Sequence, residues 1–195
     1  SGVGKGTVVN KLIDKYDDYT ISISATTRKP RVGEVDKVNY FFVSKEEFED
    51  MIANNKLLEY AQYVDNYYGT PLEFVNEKLN EGINVLEIET QGALKVKEIM
   101  PEAMMIFILP PSAEELKKRL VGRNTESMEV INKRLMKAAE ETIFMDNYEY
   151  FVVNDEIEGC VEKINLVVNN DTTGTASKKE VEEIKNDIKK FSKGE

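Results

Sequence analysis

The sequence predicts a three-layer α/β fold, in which a parallel sheet is covered by helices on both faces. Short apolar strand patterns alternate with helical patterns along most of the chain, which is typical of parallel strands joined by crossover helices. A glycine-rich loop runs directly into the first helical pattern, as in phosphate-binding folds. Residues 24–71 break this alternation with short strands rich in tyrosine, so we expect an inserted lobe there.

The first half of the chain gives clear element patterns. Val8, Leu12 and Ile13 recur at helical spacing and predict a helix directly after the glycine loop. TISIS alternates and predicts a strand, which leads into the polar loop ATTRKPRVGEVD. YFFV predicts a strand, and SKEEFEDMIANN predicts a helix with Ser44 as N-cap and Glu47 completing a capping box.

The second half continues the alternation. LLEYAQYVDNYYGT is strand-like, and a helix is predicted from Pro71 to about Glu81, where Gly82 ends it. NVLEIET predicts a strand, QGALKVKEIM a helix, and the apolar run AMMIFIL a buried strand. Helices are predicted over PPSAEELKKRLVGR, with Ser112 as cap, over about 127–147, and after the strand YFVVND. The linker NNDTTGTASKK leads to KKEVEEIKNDIKKF, whose charge and weak amphipathic pattern predict a helix lying on the surface.

Composition excludes several classes of function. The 195 residues carry a formal net charge of −10, which argues against general binding of nucleic acids or acidic membranes. The chain has no histidine, so histidine-based triads and metal sites are excluded, and any metal must be a hard cation held by oxygens. The single Cys160 cannot form an internal disulfide, and no apolar run approaches the length of a membrane span. We therefore expect a cytoplasmic protein.

The opening stretch SGVGKGT is similar to the second half of a phosphate-binding loop. Gly2, Gly4 and Gly6 would let backbone N–H groups crowd around phosphate oxygens, and Lys5 would reach the transferred phosphate. Thr7 is a candidate Mg²⁺ ligand, although the metal would be held mostly by nucleotide and water. A glycine-rich turn with a surface lysine stays an alternative. The first loop glycine and its strand would precede Ser1, so we expect them to be missing upstream.

Three further groups of residues suggest ligand chemistry. Arg28 and Arg31 lie three apart on a loop stiffened by Pro30 and can grip one phosphate with two guanidinium groups, although this stretch taken alone favours an exposed basic loop. Glu59 lies among apolar and aromatic residues, where a carboxylate can accept from the N1–H and amino group of guanine. A solvated strand residue is the alternative.

A cluster of arginines follows in LKKRLVGRNTES and INKRLMKAAEE. Arg119, Arg123 and Arg134 fall on two helices that flank a Gly-Arg-Asn turn. Such a pair can fold over a triphosphate and neutralise the charge that migrates in the transition state. Surface arginines on helices are also common, so this group is a hypothesis on its own.

Together these stretches closely resemble the guanylate kinase family. The resemblance is carried in order by SGVGKGT, SISATTRKPRVGEVDKVNYFFVS, EYAQYVDNYYGTP, LEIETQGA, LPPS, LKKRLVGR with INKRL, and VVND. It covers the chain from Ser1 to about Val168. What it implies is Mg²⁺-assisted transfer of the γ-phosphoryl group of ATP to GMP by a monomer or homodimer.

The resemblance also implies particular site residues and boundaries. It assigns GMP binding to Ser24, Arg28, Arg31, Tyr40, Glu59, Tyr68, Thr70 and Glu89, the last being often Asp in the family. It assigns ATP binding to Ser1, Gly2, Val3, Gly4, Lys5, Gly6, Thr7, Arg119, Arg123, Arg134 and Asn154, the last near the adenine. Lys5, Arg31, Arg123 and Arg134 would be catalytic. The implied core spans 1–23, 72–117 and 143–169, with a GMP-binding lobe at 24–71, a lid at 118–142 and a tail at 170–195.

Two other functions stay open. A guanylate-kinase-like interaction module would share the fold but bind peptides, and Lys5, Arg123 and Arg134 argue against it because such modules typically lose residues of the ATP site. Another nucleoside monophosphate kinase would prefer a different acceptor, which would contradict the role given to Glu59.

Overall fold

A computed structural model describes residues 2–63, 65–122 and 128–192 of the protein. Helices and strands are interspersed along these residues, and the predicted α/β class is confirmed. The helices are α1 Lys5–Lys15, α2 Lys45–Ala53, α3 Leu72–Leu79, α4 Thr90–Ile99, α5 Ala113–Gly122, α6 Met128–Glu141, α7 Ile157–Val168 and α8 Lys178–Ser192. The strands are β1 Tyr19–Ser22, β2 Ala25–Thr26, β3 Phe41–Phe42, β4 Leu57–Tyr63, β5 Asn66–Pro71, β6 Ile83–Leu86, β7 Ile106–Leu109 and β8 Tyr150–Val153.

The chain groups into two compact units, one formed by Ser1–Leu12 with Met104–Glu195 and the other by Ile13–Ala103. The predicted core, lobe, lid and tail boundaries stay a prediction.

The unit Ile13–Ala103 contains two hydrogen-bonded sheets. Strands β1 and β6 pair in parallel, from Tyr19 opposite Ile83 to Ser22 opposite Leu86. The second sheet has the order β3-β2-β5-β4 and lies within the stretch where the sequence breaks its alternation. Here β5 runs antiparallel to both β2 and β4. The strand-like stretch predicted at LLEYAQYVDNYYGT is therefore two strands, β4 and β5, paired with each other.

Local sequence signals position the helices of this unit. Ser44 caps α2 by accepting from the Glu47 N–H, and the Glu47 carboxylate accepts from the Ser44 N–H, so the predicted capping box is confirmed. Phe48 on α2 is fully buried and stacks on Tyr67 of β5 at 5.2 Å between ring centroids. Pro71 ends β5 and is the N-cap residue of α3, which begins one residue later than predicted.

The other unit is built around the parallel pair β7 and β8, with Ile106 opposite Tyr150 and Leu109 opposite Val153. Leu109 is buried, whereas Ile106 to Ile108 are only half-buried. The apolar run therefore predicts the strand correctly and overestimates its burial. The single helix predicted at about 127–147 is instead α6 followed by the 3-10 helix Thr142–Asn147.

The helix α8 packs an apolar stripe into this unit, a docking that its weak amphipathic pattern did not predict, while its charged face is exposed at the surface as expected. Ile184 and Ile188 are buried in the same hydrophobic core as Leu116 of α5 and Leu135 of α6. Asp187 accepts a hydrogen bond from the backbone N–H of Ala113, the first residue of α5, at 2.7 Å. The reason is that a narrow apolar stripe suffices for docking even when charged residues cover the rest of the helix. The stripe consists of Val181, Ile184, Ile188 and Phe191.

Candidate active site

The glycine loop turns the chain into the N-terminus of α1. Gly2 and Gly4 have positive φ values of 81° and 91°, a backbone region that residues with a Cβ rarely adopt. The first helical hydrogen bond runs from the N–H of Val8 to the carbonyl of Gly4 at 3.0 Å. N–H groups of a first helical turn have no acceptor within their own helix and carry the positive end of its dipole. Lys5 and Thr7 both lie in this turn, and Thr7 is exposed. The arrangement can bind an anion.

Asn154 fixes the glycine loop from the end of β8. Its side-chain amide nitrogen donates to the Val3 carbonyl at 2.7 Å, and its backbone N–H donates to the carbonyl of Leu109 at 2.8 Å. The side chain is only 2% exposed. A Cβ on Gly4 would lie 2.9 Å from the Asn154 amide nitrogen, so glycine is required there by contact as well as by φ. The amide oxygen is buried without a hydrogen-bond partner among the described atoms. The position of Asn154 near the adenine of ATP stays a prediction.

Arg119 braces the backbone that follows β8. Its Nε donates to the Glu115 carboxylate at 3.0 Å, and its terminal nitrogens donate to the carbonyls of Asn154 and Asp155 at 2.9 and 3.1 Å. The guanidinium therefore holds the backbone after β8, and its predicted contact with ATP phosphates stays a prediction. The backbone N–H of Glu156 is the main cause that lowers the pKa of Asp155.

Two of the predicted ATP residues, Ser1 and Arg123, lie outside the described residues. Arg134 lies on α6 and is half-buried.

Cys160 on α7 is buried, and burial raises the pKa of its thiol to about 12. Its thiol therefore stays protonated at neutral pH and is a core group rather than a nucleophile.

In the unit Ile13–Ala103, the hairpin β4–β5 buries a carboxylate. Glu59 lies opposite Thr70 in the strand register, and the Thr70 hydroxyl donates to Glu59 Oε1 at 2.6 Å. The Glu59 side chain is 6% exposed. Gly92 on α4 packs against it so closely that an added Cβ would lie 2.9 Å from the carboxyl carbon. The alternative of a solvated strand residue is therefore wrong.

Burial changes the pKa of the Glu59 carboxyl group. Desolvation is the main cause that raises its pKa, and the Thr70 hydrogen bond and the charge of Lys95 oppose the rise. A carboxylate has about four lone-pair sites, so hydrogen bonding from Thr70 leaves Glu59 with acceptor capacity. This capacity suits a ligand edge that presents two N–H groups.

The predicted phosphate-binding residues lie on the loop after β2 and on neighbouring strands. The Arg28 guanidinium packs 5.4 Å from the ring centroid of Tyr40, and Tyr40 contacts Tyr68 edge to face at 6.2 Å. Burial is the main cause that raises the pKa of Tyr40. Arg28 also forms a bidentate ion pair with Glu34. Arg31, by contrast, is exposed.

Ser24 and Glu89 lie two and three residues beyond the ends of the parallel strands β1 and β6. Ser24 is half-buried between β1 and β2 and accepts the Phe41 N–H through its backbone carbonyl. Glu89 is exposed and occupies the N-cap position of α4. Their roles in binding GMP stay predictions.

Comparison with known proteins identifies the family. The family profile described as "Guanylate kinase" matches residues 1–171. The chain belongs to the guanylate kinase family. It is 54% identical over 170 residues to the guanylate kinase of Latilactobacillus sakei, covering 86% of this chain and 84% of that protein. It is 55% identical over 170 residues to the guanylate kinase of Bacillus anthracis, covering 86% and 83%.

A solved structure agrees with this membership of the guanylate kinase family. The crystal structure of guanylate kinase from Anaplasma phagocytophilum matches with a TM-score of 0.70 and 34% identity, over 86% of this chain and 81% of that chain. The resemblance seen in the sequence is therefore confirmed. None of the described helices has both the length and the apolar character needed to span a bilayer.

Sequence reasoning missed two residues that contact the predicted site residues. Glu34 pairs with Arg28, and its position three residues after Arg31 in RVGE is a signal that could have identified it. Gly92 packs on Glu59, and no sequence signal indicates this contact because it depends on how α4 meets the β4–β5 hairpin.

Proposed function

We propose that this protein transfers the γ-phosphoryl group of ATP to GMP, giving ADP and GDP. Membership of the guanylate kinase family supports this reaction. The single observation that carries the specificity for GMP is the buried Glu59 carboxylate, which the Thr70 hydroxyl holds at 2.6 Å. Scaffold modules are the alternative, but the relatives named above are called guanylate kinases, which favours the enzyme.

Recognition of the guanine base is assigned to Glu59. Its carboxylate would accept from the N1–H and the 2-amino group of guanine, two donors that adenine does not present together. A buried acceptor left unpaired by the wrong base costs about 1–3 kcal/mol, which gives discrimination. The Ser24 hydroxyl is a candidate donor to the guanine O6. The Thr70 hydroxyl would have to release its hydrogen bond to Glu59 to serve the same oxygen, because a hydroxyl carries a single donor.

Binding of the GMP phosphate is assigned to a basic and aromatic group of side chains. Arg28 and Arg31 provide guanidinium forks that match phosphate oxygens in geometry. The phenols of Tyr40 and Tyr68 are additional hydrogen-bond donors. Glu89 stays a candidate contact to GMP.

Binding of ATP phosphates is assigned to the glycine loop and the start of α1. Residues 1–7 would present backbone N–H groups, and Lys5 would neutralise charge on the transferred group. Arg119, Arg123 and Arg134 are proposed to add positive charge around the triphosphate. Asn154 supports the loop through its bond to the Val3 carbonyl, a contact that fixes the loop before ATP arrives.

The chemistry needs little acid–base help from the protein. The acceptor is a phosphate oxygen that is already anionic at neutral pH, so no strong base is required. The catalytic contribution of Lys5, Arg31, Arg123 and Arg134 is therefore to position the reacting groups and to neutralise charge. A chain without histidine is compatible with this reaction.

Mg²⁺ is proposed to accompany ATP. The exposed Thr7 hydroxyl on the first turn of α1 is the kind of oxygen donor that Mg²⁺ accepts, and the cation would otherwise be held by nucleotide oxygens and water. When bound, Mg²⁺ neutralises phosphate charge. A cytoplasmic location and a monomeric or homodimeric state stay predictions.

An assay that couples ADP release to absorbance tests the proposal. We expect turnover that requires GMP, with AMP a poor acceptor. Glu59→Ala and Arg31→Ala should raise the KM for GMP at least about tenfold and leave the KM for ATP nearly unchanged. Lys29→Ala is the matched control for Arg31→Ala, because it removes a neighbouring exposed charge from the same loop. Failure of GMP to stimulate ADP release would refute the enzyme, and preference for AMP would refute the role of Glu59.

A further inference from the structure

Glu34 occupies the guanidinium fork of Arg28. Arg28 donates from one terminal nitrogen to Glu34 Oε2 and from the other to Oε1, both at 2.9 Å. The two side chains are 15% and 19% exposed, so the pair is largely shielded from solvent. This parallel two-bond geometry is also the way in which arginine binds a phosphate group.

The same carboxylate collects a third donor. Glu34 Oε2 accepts the backbone N–H of Arg31 at 2.6 Å, and the Glu34 N–H donates back to the Arg31 carbonyl at 3.0 Å. Hydrogen bonding to Arg28 is the main cause that holds the pKa of Glu34 below its ordinary value, so the group is anionic at neutral pH. An anion therefore already lies on the guanidinium of Arg28 and on the backbone N–H of Arg31.

Arg28 has further contacts besides Glu34. The Arg28 guanidinium lies 5.4 Å from the ring centroid of Tyr40 and 5.8 Å from that of Phe42, and one terminal nitrogen also donates to the Lys29 carbonyl at 2.8 Å. Cation–π contacts and a backbone acceptor can keep the guanidinium in place while its anionic partner changes.

We propose that Glu34 is an internal substitute for the substrate phosphate, which holds Arg28 in the ligand-free protein and is displaced when GMP binds. This inference rests on the proposed function, because the displacing ligand is the 5′-phosphate of GMP. Displacement of Glu34 would lower the net affinity for GMP, since one ion pair must break before another forms. In return the loop stays ordered before substrate arrives. If Glu34 instead stayed on Arg28 in the GMP complex as a permanent brace, removing its charge would weaken GMP binding.

Calorimetric titration of the full chain with GMP and with guanosine tests the proposal. We expect Glu34→Gln to lower the Kd for GMP by roughly 5- to 10-fold, since a neutral amide competes less well for Arg28. The affinity for guanosine, which has no phosphate, should change less than about twofold. Thermal unfolding of each variant checks that it is folded.

Asp36→Asn is the matched control. It removes one negative charge from the same loop, and the asparagine oxygen can still accept the Phe42 N–H that Asp36 accepts at 2.9 Å. A general electrostatic effect would tighten GMP binding equally in both variants and would overturn the proposal. Unchanged or weaker GMP binding by Glu34→Gln would also overturn it.

A measurement on the wild-type protein covers the case in which Glu34→Gln does not fold. The side-chain carboxyl carbon resonance of Glu34 should shift on addition of GMP and not on addition of guanosine, because only the phosphate displaces this carboxylate from Arg28. A Glu34 resonance that does not respond to GMP would overturn the proposal. Wild-type protein that binds no GMP would refute the proposed function itself. Wild-type binding without tightening in Glu34→Gln would refute only the role of Glu34.

Discussion

Replacing Asn154 by aspartate should loosen the glycine loop, because the buried amide is the group that ties this loop to the end of β8. The wild-type amide donates to the Val3 carbonyl at 2.7 Å from a side chain that is 2% exposed. In Asn154→Asp an ionised carboxylate would face the carbonyl and lose the donated hydrogen bond. An uncompensated buried charge costs about 3–5 kcal/mol of the free energy of unfolding. We expect the loss to lie near the lower end of this range, because the carboxylate can take up a proton instead of staying charged.

The expected loss depends on pH in a defined direction. Burial raises the pKa of the new carboxyl above its value in the unfolded chain. Below the unfolded pKa the group is protonated in both states and can donate to the Val3 carbonyl, so the destabilisation is small. As pH rises through the folded pKa, the variant loses the stability that the protonated carboxyl provides. Denaturant unfolding should therefore show a larger deficit at pH 8 than at pH 5, and the Kd for ATP at pH 8 should rise at least about tenfold.

Asn169→Asp is the matched control for this change. Asn169 also donates its side-chain amide to a carbonyl, that of Asn165 at 2.8 Å, but it is exposed at the end of α7. We expect Asn169→Asp to change the free energy of unfolding by no more than about 0.5 kcal/mol. The reasoning is refuted if Asn154→Asp is as stable as the wild type at pH 8, or if its deficit does not depend on pH.

Two predictions concern the pocket of Glu59. Gly92→Ala should destabilise the protein by about 1–3 kcal/mol and weaken GMP binding, because the new Cβ would lie 2.9 Å from the Glu59 carboxyl carbon, whereas Gly159→Ala on α7 meets no atom within 4 Å and should be neutral or stabilising. Because burial raises the pKa of Glu59, this residue's contribution to stability is full below the ordinary glutamate pKa and is lost as pH rises through the raised value. GMP binding should have the opposite dependence, and Glu59→Gln should remove both; unchanged pH profiles in this variant would contradict the assignment.

Local signals in the sequence predicted local structure well. The capping box of Ser44 and Glu47 and the helix after Gly4 depend on residues within one turn, and the structure has both. The burial of Glu59 could be suspected from its apolar neighbours, but its pairing with Thr70 required the β4–β5 register.

Contacts between distant segments could not be predicted. The capping of α5 by Asp187 joins residues 74 positions apart, and the bond from Asn154 to Val3 joins residues 151 positions apart. A single sequence reports the chemistry of these groups and not their partners. The packing of α8 was missed for the same reason, because four apolar residues in a charged helix indicate docking only when the surface that receives them is known.

The central claim is that the Glu59 carboxylate recognises the guanine base. The most direct test is the ratio of kcat/KM for GMP to that for IMP, which keeps the N1–H but lacks the 2-amino group. The wild type should prefer GMP by roughly 10- to 100-fold, as expected for one charged hydrogen bond in a buried site. Glu59→Gln should bring the ratio to within about threefold of unity. A ratio that is the same in the variant as in the wild type would contradict the claim.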